Sequence, residues 1–125
     1  MNPGRAPLDV VVALPGGRAY RARAEMAVML GSARAGDPDR LTVRLPSAGL
    51  EAAARLIAGY AAEWGFPADA VTAWRADAER RAPGDRYYDT HVFTPGDVGF
   101  VHLEFQVSHH VRGRGFVVAA LFSWR

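Results

Sequence analysis

Residues 86–124 read RYYDTHVF, TPGD, VGFVHLEFQVSHH, VRGRG and FVVAALFSW: three runs of strand-type residues separated by two glycine-containing turns. Period-two alternation in such runs marks strands with one face on a core. Two short turns between them predict a three-stranded antiparallel meander. Pro95-Gly96 suits the central pair of a type II turn, because proline fixes φ and glycine accepts a positive φ. That turn sets Phe93 opposite Val98, His91 opposite Phe100, Asp89 opposite His102 and Tyr87 opposite Glu104.

Directly opposed residues share a face of a sheet. One face then carries Tyr87, Asp89, His91, His102, Glu104, Gln106, Ser108 and His110, and the other Tyr88, Thr90, Val92, Val101, Leu103, Phe105 and Val107. A two-residue turn within Arg112 to Gly115 adds Phe116, Val118, Ala120, Phe122 and Trp124 to the apolar face. Val117, Ala119 and Leu121 fall on the polar side, so the last strand is apolar on both faces and something is expected to cover it. Register decides all of this, since a one-residue slip moves every side chain to the opposite face.

Upstream, Leu50, Ala53, Ala54, Ile57, Ala61 and Trp64 recur at helical spacing. Ser47 is a good N-cap, Gly65 supplies a left-handed C-cap and Pro67 prevents continuation. A helix over about Ala48 to Trp64 is expected to lie on the face bearing Leu103, Phe105, Val118 and Phe122. Leu41, Val43 and Leu45 alternate with Thr42 and Arg44 as a strand ended by Pro46, and Leu8 to Leu14 reads as a buried strand broken by Pro15-Gly16-Gly17. Arg18 to Leu30 fits either class: its alternation and the preceding turn favour a strand paired back on Leu8–Leu14, its alanine, arginine and methionine a helix. Asp69 to Arg81 is open between a helix buried through Val71, Trp74 and Ala78 and a strand from Val71 to Asp77. The expectation is one α+β domain over residues 1–125, with residues 1–7 a loose lead-in. About four to six strands form a mainly antiparallel sheet, packed by one main helix and a second if Asp69–Arg81 is helical.

The chain has 125 residues, half of them hydrophobic and 22% charged, which suits a globular domain able to bury a core without staples. There is no cysteine, which excludes disulfides, thiolate metal sites and cysteine nucleophiles. All 15 basic residues are arginine, and Schiff-base and P-loop lysine chemistry fall with the missing lysine. Arginine and alanine enrichment reads as GC-rich coding, bacterial in character. The competing reading is phosphate or carboxylate recognition by arginine forks. A net charge of +2, with arginines interspersed among acids, argues against a nucleic-acid binder. Val10 to Leu14 is too short and too acidic in its flank for a secretory signal, and no stretch reaches membrane-spanning length. A soluble cytoplasmic protein is expected.

Chemistry, if any, is expected on the polar face. His102 oriented by Asp89 would act as general acid or base, His91 and Glu104 would hold a substrate, and Tyr87 would donate a hydrogen bond, as in a cofactor-independent isomerase, cyclase or lyase acting on a small carbonyl compound. The same residues also read as cross-strand pairs on a wet surface, or as a divalent metal site, although their spacing matches no ligand motif. The Arg112-Gly113-Arg114-Gly115 tip reads as a solvated turn or as a phosphate clamp. No GxGxxG, GxSxG, HExxH or P-loop is present. The favoured expectation is a small non-catalytic binding or accessory module acting through protein contacts, with a homodimer as its simplest partner and neither cofactor nor metal; the small-molecule enzyme is the alternative.

The order of a strand, a helix ending in Gly65-Phe66 and then further strands, best seen in LTVRLPSAGLEAAARLIAGYAAEWGF, loosely resembles the βαβββ unit of the vicinal-oxygen-chelate family. The first strand carries no histidine or glutamine at a ligand position and a second unit is missing, so the resemblance implies neither that family's metal site nor membership of it.

Overall fold

The computed structural model describes residues 8–30, 40–46, 49–81, 90–109 and 115–124. Within them the chain is α+β, with seven strands in two antiparallel sheets and two α-helices. Strands β1 (Leu8–Ala13) and β2 (Ala19–Ala24) form a hairpin closed by a 3-10 turn at Pro15–Gly17. β3 (Met26–Leu30), β4 (Arg40–Arg44), β5 (Thr90–Val98), β6 (Val101–His109) and β7 (Phe116–Trp124) form a five-stranded sheet of order β3-β4-β7-β6-β5. The predicted C-terminal meander is its β5-β6-β7 half.

The ambiguous stretch from Arg18 to Leu30 is extended throughout, but it is two strands. The chain bends at Glu25, so that β2 pairs with β1 and β3 with β4. Alternation along β2 is as expected, with Tyr20 and Ala24 buried and Arg21 and Arg23 exposed. The second ambiguous stretch is helix α2 (Ala68–Arg81), which buries Val71 and Trp74.

Helix α1 (Leu50–Trp64) buries Ala53, Ala54, Ile57, Tyr60, Ala61 and Trp64, the stripe that its periodicity demands. Gly49 takes the N-cap position with no side-chain cap bond, two residues beyond the expected Ser47, which lies outside the described residues. Glu51 in the first turn faces the positive end of the helix dipole. Gly65 ends the helix at φ 91°, its amide donating to the Ala61 carbonyl. Among the described residues α1 and α2, the second helix left open by the sequence, separate β4 from the meander, and β4 runs antiparallel to β7.

The core lies between the helices, the hairpin and the inner face of the five-stranded sheet. Leu103, Phe105, Val107, Val118, Ala120 and Phe122 line that face, each at most 2% exposed, and α1 covers it as expected. Aromatic rings knit the layers: Tyr60 stacks on Phe105 at 4.5 Å, Phe66 on Phe93 at 5.1 Å, and Trp74 meets Phe116 edge-on at 5.8 Å. Tyr20 brings the hairpin into the same cluster. Its hydroxyl lies 2.8 Å from that of Tyr60, which satisfies two polar groups that burial would otherwise penalise. Burial holds both phenol pKa values above the usual tyrosine range. Arg18 seals the rim, its guanidinium 4.1 Å above the Trp64 ring while donating to the Glu63 carbonyl.

The β5–β6 connection departs from the expected Pro95-Gly96 turn. The chain reverses at Gly99-Phe100, with Val98 opposite Val101. Gly99 has φ 59° and Phe100 a negative φ, the pattern of a type II′ turn. The reason is twist. Type II′ follows the right-handed twist of paired strands, whereas type II splays them. Gly99 is also pressed against the other hairpin, where a Cβ would lie 2.7 Å from the Pro15 Cβ. Pro95-Gly96 instead lies inside β5 at a register shift between Phe93 and Gly96, one extra residue against β6. A bulge on an edge strand accommodates a proline, which has no amide to donate.

Candidate functional site

The outer face of the five-stranded sheet, away from the helices, gathers the polar residues. Alternation along β6 places His102, Glu104, Gln106 and Ser108 there, opposite Ser123, Leu121, Ala119 and Val117 of β7. The β7 residues are those expected on this side, and the strand is indeed apolar on both faces. β4 adds Arg40, Thr42 and Arg44 through its pairing with Ser123, Leu121 and Ala119. β3 adds Met26 and Val28 beside Arg44 and Thr42.

The turn at Gly99-Phe100 changes which β5 residues join this face. Asp97 is opposite His102, the position expected for Asp89. His91 is opposite Val107, not Phe100, and therefore lies on the inner side, at the exposed rim with its ring 4.6 Å from Phe93. Phe93 is opposite Phe105, not Val98, and is buried. Val92, expected on the apolar face, is opposite Gln106 on the outer face and is exposed. Of the residues singled out from sequence, His102 and Glu104 are brought together and His91 is separated from them. Asp89, Tyr87, His110 and the Arg112–Arg114 tip lie outside the described residues. Asp97 was legible only to a reading that placed the turn at Gly99.

The result is a polar row across β5 and β6. His102 Nδ1 donates to Asp97 Oδ1 at 2.8 Å, since a carboxylate can only accept. His102 Nε2 lies 3.5 Å from Glu104 Oε1, and Gln106 Nε2 donates to Glu104 Oε2 at 3.4 Å. His102 and Glu104 are half-buried, with side chains 23% and 31% exposed, and Asp97 is more open at 45%. The imidazole is thus held between two carboxylates. That geometry fixes its orientation but directs Nε2 at Glu104 rather than at open space.

Beside the row, Arg40, Thr42, Glu104, Leu121 and Ser123 line a depression of about 390 Å³. It spans β4, β7 and β6, has Leu121 in its floor and is open to solvent. Arg44 sits on the same face, its Nε buried without a hydrogen-bond partner among the described residues. Among the described residues, no group of three His, Asp or Glu side chains is arranged to hold a metal ion. No helix among them is long and apolar enough to cross a membrane.

The sheet's two edges differ in chemistry. β5 is broken by its bulge and carries Asp97. β3 is MAVML, regular, uncharged and free of proline, with Met26, Val28 and Met29 exposed by 40%, 40% and 61%. Among the described residues it pairs only with β4. Comparison of the chain with protein-family models, with curated proteins and with solved structures gives no match, so the reading of function rests on this geometry.

Proposed function

We propose that the chain is a small non-catalytic binding module that acts through protein contacts made by an open sheet edge. The observation that carries this reading is β3. An exposed edge strand offers a row of backbone donors and acceptors to any added strand, and proteins that avoid such pairing guard their edges with charge, proline or bulges. β3 has none of these, and three of its side chains present apolar surface to solvent. The outer face supports the same reading. Its polar row is open rather than enclosed, and the nitrogen that a general base would use is turned toward a second carboxylate.

Hydrogen exchange tests it. The amides of β3 are expected to gain protection as protein concentration rises through the micromolar range, and Met29→Lys is expected to abolish the gain. Exchange independent of concentration, unaltered by Met29→Lys, would remove the reading.

The 2.8 Å Asp97–His102 bond favours a second reading, a cofactor-independent acid–base enzyme working over the Arg40–Ser123 depression. A screen of small carbonyl compounds by NMR discriminates the two. Shifts confined to Arg40, Thr42, Ser123 and His102 support the enzyme, and their absence supports the module.

A further inference from the structure

We propose that β3 pairs antiparallel with β3 of a second copy about a two-fold axis at Val28, joining two five-stranded sheets into one continuous sheet. The proposal rests on the reading of β3 as a contact surface and names its partner.

Self-complementarity selects a second copy. In a two-fold interface the same patch faces itself, so every charged residue on it risks meeting its own sign. β2, with Arg21 and Arg23 exposed, fails that condition. On β1, Asp9 already engages Arg23 across the hairpin. β5 is bent by its bulge. β3 alone among the described edges is apolar along its whole length.

The register follows from the same constraint. With the axis at Val28, Val28 faces its own copy, Ala27 faces Met29, and Met26 faces Leu30. Small opposes large at Ala27 and Met29, which lets the long methionine fill the space that alanine leaves. Centring on Ala27 would set Glu25 against Met29, and centring on Met29 would run past the end of the strand. Only Val28 keeps all five pairs within the apolar segment.

Packing agrees with this arrangement. A two-fold axis normal to the sheet keeps the inner faces of both copies on one side. Ala27 and Met29 lie on the inner face beside Val43 and Leu41, both buried. Met29 of each copy therefore extends the apolar inner layer across the junction, while Met26 and Val28 continue the outer face.

The absence of cysteine gives a clean test, because any introduced thiol is unique. Directly opposed strand residues have Cα atoms about 4.5–5.5 Å apart, within the range a disulfide spans. Val28→Cys is expected to form a disulfide-linked dimer under mild oxidation at least roughly tenfold faster than Val11→Cys, an exposed strand position on β1, because a held pair reacts at a high effective concentration. Ala27→Cys mixed with Met29→Cys is expected to cross-link, and each alone to lag, which checks the register in variants that leave Val28 intact. Adding Met29→Lys to Val28→Cys is expected to abolish the advantage.

If Val28→Cys and the mixed pair cross-link no faster than Val11→Cys while β3 amides remain protected at high concentration, β3 meets a second copy in another register or through another surface; this proposal falls and the contact reading stands. If the amides also exchange freely at every concentration, both fall.

Discussion

The phenol oxygens of Tyr20, on β2, and Tyr60, on α1, lie 2.8 Å apart inside the core. They form a polar bridge between the two-stranded hairpin and the main helix. Both residues are nearly inaccessible, at 1% and 7% exposure, so each hydroxyl depends on the other.

Removing one partner therefore strands the other. Tyr20→Phe or Tyr60→Phe is expected to lower stability by about 1–3 kcal/mol, the penalty of a buried unsatisfied hydroxyl. The double variant is expected to lose markedly less than the sum, since no orphan remains. Denaturant midpoints of the four proteins complete the cycle, and additive losses would show that the bridge is energetically silent.

The same pair makes stability sensitive to alkali. Burial raises both folded-state phenol pKa values above the unfolded value near 10. A raised pKa contributes fully below the unfolded value and is lost as pH climbs above it, because the unfolded chain releases protons that the folded chain retains. Stability is expected to fall above about pH 10, with a slope approaching roughly 1.4 kcal/mol per pH unit for each tyrosine. Urea titrations on either side of pH 10 measure the slope, and Tyr60→Phe is expected to reduce it. A flat profile would contradict the burial of the pair.

Gly99 is held by two constraints, a φ of 59° and the proximity of Pro15. Gly99→Ala is expected to cost about 1–4 kcal/mol, combining left-handed strain with overpacking. Pro15→Gly added to it is expected to recover the overpacking share and leave the strain. Thermal melts of the single and double variants separate the two parts.

The Asp97–His102 pair is partly exposed, His102 at 23% and Asp97 at 45%, so water screens it and its energetic weight is small. Asp97→Asn and His102→Gln are each expected to shift stability by less than about 1 kcal/mol, with a coupling between them of a few tenths to 1 kcal/mol that weakens in salt. Zero coupling in a double-mutant cycle would argue that the two groups do not meet in solution.

The sequence was legible where the decisive signals are local. Leu50 to Trp64 reads as a helix because its apolar spacing and Gly65 lie within a few residues of one another. The face assignments of Phe116 to Trp124 also hold, because alternation alone decides which side chains share a side. Pairing is another matter. Nothing within Arg18 to Leu30 says that its two halves join different sheets, since that depends on β1 and β4, remote in sequence. For the β5–β6 turn, Pro95-Gly96 and Gly99-Phe100 are both chemically competent, and local sequence does not choose between them. The choice rests on twist over the whole hairpin, and it was this choice that exchanged Asp89 for Asp97. Nothing local marks Arg40, Thr42 and Ser123 as neighbours, because β4 and β7 meet only through the fold.

The extra residue in β5 has a further consequence. It inverts the phase of the strand, so odd-numbered residues before it and after it face opposite ways: His91 and Phe93 inward, Asp97 outward. Deleting one residue between Phe93 and Gly96 would leave a single residue opposite Glu104, restoring plain alternation with Phe93 still inward on Phe66 and Asp97 still outward beside His102. The bulge is consequently a removable insert: the pairing on either side of it, Phe93 with Phe105 and Gly96 with Leu103, fits a strand one residue shorter.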